Sequence, residues 1–157
     1  MKSKKIFDIR LLVRTIISLA ALMLVFNVIH EMGHGILCQL SENQFVWGIT
    51  PIGGGWLVCI GPIEDLVTFR LAGGLLAAFV ATISLLFVLR FGKNMTYLAI
   101  PLVAIAASQA VIAALEAFAY NIYMHSSLPH VVSGMITVTL ILWLVFRYTK
   151  KEVCAKN

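Results

Sequence analysis

Charge is scarce in this chain, and acidic charge is scarcer still. Only 12% of its 157 residues are charged, with seven Asp and Glu against twelve Lys and Arg. A soluble globular domain carries about 25% charged residues, so an ordinary water-exposed fold is excluded. Cysteine is nearly absent, and Cys38, Cys59 and Cys154 have none of the paired spacings of a sulfur-ligated metal site. There is no internal repeat and no low-complexity segment. What the chain has instead is apolar sequence in long runs: 61% of residues are hydrophobic and the mean hydropathy is +0.96. That composition marks a multi-span membrane protein.

One membrane span takes about 20 residues, so residues 1–157 hold a single domain of about four helices and little else. The expected spans are about 11–40, 69–91, 95–123 and 131–148. The fold class that follows is an all-α membrane protein: a bundle of about four transmembrane helices, with a short interfacial β-hairpin or loop after the first.

The net charge of +5 would suit a nucleic acid if it formed one patch, but its placement argues otherwise. Lys2, Lys4, Lys5, Arg10 and Arg14 sit at the start of the first apolar run. Arg90 and Lys93 lie between the second and third, and Arg147, Lys150, Lys151 and Lys156 close the chain. Positive charge on alternate connections is the positive-inside pattern. It predicts a multi-pass protein, of the cell membrane, with both termini cytoplasmic and anionic headgroups as electrostatic partners rather than nucleic acid. The basic start followed by an apolar run also resembles a signal peptide. That run is long and has no convincing small-residue cleavage site, so a retained first span is expected. Cys38 and Cys59 fall on the same predicted side, where a disulfide is conceivable; small apolar residues are the preferred reading.

The first span ends in His30-Glu31-Met32-Gly33-His34. On a helix, residues four apart share a face, so both imidazoles can aim at one metal ion, with Glu31 beside them to take a proton from an activated water. Asn27, His30, Glu31, His34 and Cys38 form a polar stripe on an otherwise apolar helix, and such a stripe must face protein or water. A catalytic zinc needs three protein ligands, and this motif supplies two. Glu116 is the preferred third, because it is the only acid of the third span and an acid there costs roughly 2.5–3.5 kcal/mol to insert. His130 and His125 remain alternatives. Chain threading puts the motif, the connection after it and the Glu116-to-His130 region on one side.

That connection, about Ser41 to Thr68, contains β-prone runs, Phe45 to Thr50 and Trp56 to Ile60, around Pro51-Ile52-Gly53-Gly54-Gly55. It reads equally well as a hairpin with its tryptophans in the headgroup zone and as an irregular loop. Leu71-Ala72-Gly73-Gly74 opens the second span with small residues that admit a close helix neighbour.

These segments together resemble the site-2 protease family of intramembrane zinc metalloproteases. His30-Glu31-Met32-Gly33-His34-Gly35 is similar to the family's HExGHA-type helix. Ile49 to Gly55 is similar to its glycine-rich interfacial strands, and Leu71-Ala72-Gly73-Gly74-Leu75 to its Ala-Gly-Pro-Leu opening. The resemblance covers about Leu24 to Leu86. It implies zinc held by His30, His34 and a third ligand, with Glu31 as catalytic base. It further implies cleavage of membrane-embedded peptides, captured in unwound form along a strand edge. The chain departs from the family at Gly74, where proline is usual, and at Ala77, where asparagine is usual. The family's later aspartate-bearing segment, which provides its third ligand, has its nearest echo in Asn121 to Gly134, where no acid stands. The family's site also generally lies toward the cytoplasm, opposite to the side found here by charge. Two further classes fit the residues: a metal-binding membrane sensor or chaperone without protease activity, and a small helical subunit whose histidines hold a haem.

Overall fold

A computed structural model describes residues 8–50, 54–92 and 94–155. The order of elements is α1 (Ile9–Leu40), β1 (Gln44–Ile49), β2 (Gly55–Ile60), α2 (Leu66–Phe91), α3 (Thr96–Phe118), α4 (Tyr120–His125) and α5 (Leu128–Ala155). Helices α1, α2, α3 and the Leu128–Lys150 part of α5 are long and apolar enough to cross a membrane. The all-α membrane fold with a short hairpin after the first helix is therefore the one observed.

α1 begins where the Asp8 carboxylate accepts the backbone N–H groups of Arg10 and Leu11, satisfying donors that a helix start leaves unpaired. It ends in a tight reversal. The N–H of Glu42 bonds to the Gln39 carbonyl and that of Asn43 to the Cys38 carbonyl, with Glu42 at φ 58° in the left-handed region. This turn sends the chain back along its own helix as an antiparallel hairpin, in which Phe45 pairs with Cys59 and Trp47 with Leu57. Of the two readings of the connection, the hairpin is the one formed. Its expected turn residues Pro51 to Gly53 lie outside the described residues. Trp47 and Trp56 are both exposed, as side chains lying in a headgroup layer would be.

The hairpin also overturns the preferred reading of the cysteines. Cys38 and Cys59 are joined in a disulfide, with their Cα atoms 5.8 Å apart. Side chains alternate along a strand, so Cys59 shares the half-buried face of β2 with Gly55 and Leu57, and that face meets the last turns of α1.

α3 is the central helix, buried by α1, α2 and α5 on different sides. Phe26 of α1, Ala77 and Ala81 of α2, and Leu102 and Ile105 of α3 make one apolar cluster; Ile100 and Ala104 of α3 make another with Ile141 and Val145 of α5. The outward faces carry large apolar residues such as Leu24, Phe79, Phe87 and Trp143, as expected where the surrounding medium is hydrocarbon.

Several boundaries differ from expectation: α1 starts at Ile9 rather than 11, α3 at Thr96 rather than 95, and α5 runs on to Ala155 rather than 148. α2 starts three residues early, at Leu66, because the Asp65 carboxylate caps it through the Thr68 N–H. α5 starts at Leu128, three residues before the expected Val131. The third span does not run to Tyr123: α3 stops at Phe118, Ala119 leaves helical geometry (φ −128°, ψ 35°), and α4 forms a separate turn of helix. The break re-aims Tyr120 and Tyr123. Tyr120 lies under the Arg70 guanidinium, 3.7 Å from it, an arrangement that stabilises both groups.

Candidate metal centre

His30 and His34 are one helical turn apart on α1, and Glu116 is near the end of α3. The structure brings all three together, with candidate ligand atoms within 4.8 Å of one another. The two Nε2 atoms are 3.2 Å apart. His30 Nε2 is 3.3 Å from Glu116 Oε1, and His34 Nε2 is 3.5 Å from Glu116 Oε2. His30 and Glu116 are buried, at 8% and 6% exposure.

Each imidazole is oriented by a partner on its other nitrogen. His34 Nδ1–H donates to the Phe69 carbonyl on α2 at 2.8 Å. A carbonyl can only accept, so in the neutral imidazole Nε2 keeps its lone pair. His30 Nδ1 is 2.9 Å from Gln109 Oε1 on α3, an acceptor that sets the same tautomer. With both imidazoles neutral, two Nε2 lone pairs and a carboxylate converge on one point, a repulsion that a metal ion, or a proton shared with Glu116, relieves. Glu116 Oε2 is, moreover, buried without a hydrogen bond, a costly state for a carboxylate oxygen. The donor chemistry fits a divalent metal: two imidazoles and one carboxylate is a common set, and ligating histidines ordinarily donate their other N–H in this way.

Small residues make the convergence possible. A methyl group on Gly73 of α2 would collide with the His34 and His30 rings, and one on Gly33 would fall against the Ala72 carbonyl. The small-residue opening of α2 thus packs directly on the motif. Glu31 stands beside the triad rather than in it. A methyl on Gly55, at the start of β2, would strike its side chain, so the hairpin closes over this carboxyl.

Glu31 separates two cavities. One of about 320 Å³, mostly apolar, lies between α1 and the hairpin beside Gly35, Phe45, Trp47 and Leu57. The other, about 340 Å³, is more polar and lies inside the bundle beside His30, Asn27, Ser108, Gln109 and Tyr123. His130 lines this second cavity but is no member of the triad, and exposed His125 closes α4 away from it. Among the described residues the alternatives for a third ligand thus reduce to Glu116. Gln109 and the Phe69 carbonyl were not anticipated as orienting groups. The seven-residue spacing of Gln109 and Glu116 was a usable signal for the first, whereas a backbone carbonyl leaves none.

Compared with family models, with curated proteins and with solved structures, the chain matches none.

Proposed function

We propose that this protein is an intramembrane zinc endopeptidase, similar in plan to the site-2 proteases, that cuts peptide segments presented from the bilayer. The observation that carries the reading is the conjunction of a buried His30–His34–Glu116 donor set with a carboxylate, Glu31, that belongs to no ligand group yet faces both cavities. A purely structural metal site has no use for such a carboxylate. A hydrolase does.

His30, His34 and Glu116 would hold the zinc. Bound there, the ion would supply Lewis acidity toward a carbonyl and lower the pKa of water toward about 7. Glu31 accepts the proton of the attacking water and returns it to the leaving amine as the C–N bond breaks. Gln109 and the Phe69 carbonyl hold the imidazoles in position. The hairpin leaves its outer strand edges unpaired among the described residues, which suits capture of an unwound substrate by strand addition.

The orientation we infer places the site toward the oxidising face of the membrane. The Asp8 N–H bonds to Thr149 Oγ1, so the start of α1 and the end of α5, with Arg10, Arg14, Arg147 and Lys150, are at one end. Arg90 at the end of α2 lies there too. The motif and the Cys38–Cys59 disulfide are at the other end, and disulfides persist in oxidising compartments. Charge and redox chemistry thus favour the same orientation, with cytoplasmic termini.

The test uses the full-length chain purified in detergent. Wild type should hold one equivalent of zinc and cut a reconstituted transmembrane substrate, while Glu31→Gln keeps the zinc and loses cleavage. Zinc bound with no cleavage of any presented membrane peptide would leave a metal-holding membrane protein instead.

A further inference from the structure

The polar cavity is lined by His30, Glu31 and Gln109 together with Tyr123 of α4 and His130. Two relationships place its phenol. It is half-buried in the same cavity as His30 and Glu31, within reach of the Glu116 carboxylate. Its ring also packs against His130, with centroids 5.5 Å apart and planes at 50°. The break at Ala119 puts Tyr123 on the separate turn of helix α4 rather than on α3.

Resting on the hydrolase reading above, the carbonyl oxygen that gains charge would meet the ion's Lewis acidity on one side and can take a hydrogen bond on another. When water adds to the scissile carbonyl, its proton goes to Glu31 and the C=O electron pair moves to oxygen. Donors aimed at that oxygen are commonly worth 10²–10³ in rate. Glu31 cannot provide one, since it is taking a proton; the Tyr123 O–H can, by turning from Glu116 toward the substrate. A phenol, by contrast, is a neutral O–H donor at neutral pH.

We propose that Tyr123 is a catalytic residue, its hydroxyl donating to the carbonyl oxygen of the peptide as negative charge develops there. His130 is a positioning residue that holds the phenol ring. Tyr123 keeps its proton throughout. The adduct collapses by breaking C–N, with Glu31 delivering its proton to the amine.

A tyrosine that merely braced Glu116 would act through the metal site, and that difference is measurable. In zinc-loaded full-length protein, Tyr123→Phe should lower kcat about 100-fold with KM and zinc affinity unchanged. It should weaken binding of a phosphinic peptide, a tetrahedral mimic, by a similar factor. His130→Ala should reduce kcat less, and His130→Phe should restore it by keeping a packed ring. An unchanged kcat in Tyr123→Phe, or a loss of zinc affinity that accounts for the whole defect, overturns the proposal. If wild type with zinc neither cuts a membrane peptide nor binds the phosphinic mimic, the hydrolase reading itself has failed, and the role of Tyr123 falls with it.

Discussion

Gln109 Oε1 lies 2.9 Å from His30 Nδ1, so a side chain of the central helix decides which nitrogen of a motif histidine is left to bind metal. The relationship spans 79 positions in sequence. It ties the tautomer of His30 to the docking of α3 on α1.

Replacing that amide should therefore loosen the metal without removing a ligand. Gln109→Leu is expected to lower zinc affinity about 10–100-fold, the usual effect of losing an orienting partner. Glu116→Gln should cost considerably more, since it removes a charged ligand. Competition against a chromophoric chelator measures both. Equal affinities in wild type and Gln109→Leu would show that the amide does not set the imidazole.

Gly73→Ala should damage the site by steric means alone. The added methyl meets both imidazoles, so α2 must back away or the rings must turn, and overpacking of this kind costs about 1–3 kcal/mol. The expected outcome is a protein that still folds, with a lower thermal midpoint and substoichiometric zinc. The same substitution at Gly134, where nothing lies within 4 Å of the added carbon, should leave zinc content unchanged.

The disulfide fastens the hairpin over the end of α1. Closing a loop of about 20 residues stabilises by about 3 kcal/mol on the chain-entropy account, so the Cys38→Ser, Cys59→Ser double variant should melt at a lower temperature. In intact cells carrying the Cys154→Ser variant, no cysteine should react with a membrane-impermeant maleimide until a dithiol reductant is added, after which half-buried Cys59 should. Labelling only after the cells are permeabilised would reverse the inferred orientation.

Gly55 leaves room for Glu31, so Gly55→Val should displace the proposed base while sparing the candidate metal ligands. Cleavage should fall at least tenfold with zinc content intact, a pattern that metal analysis and a turnover assay on one preparation can separate. Loss of zinc in this variant would show that the hairpin supports the triad as well.

Much of this molecule was readable along one dimension, because hydrophobicity and helical periodicity are local properties. Four apolar runs predicted four candidate spans. The i, i+4 spacing of His30 and His34 put two ligands on one face, and the insertion cost of an acid singled out Glu116. The small residues from Ala72 to Gly74 announced a close helix contact, though not that its partner would be the imidazoles themselves.

The remainder depended on approach between distant segments, which carries little signature in linear sequence. Cys38 and Cys59, 21 positions apart, meet only because Glu42 accepts a left-handed turn and the hairpin folds back onto α1. Glu116 was preferred from sequence, but that His130 stays out of the cluster became visible only in the packed bundle. The Phe69 carbonyl could not be foreseen at all, since every residue carries one. Residue types and their spacing thus determined which groups were available and on which helical face. Packing of α2 and α3 against α1 decided which of them converge, because convergence depends on interhelical distances of a few ångströms that no local pattern encodes.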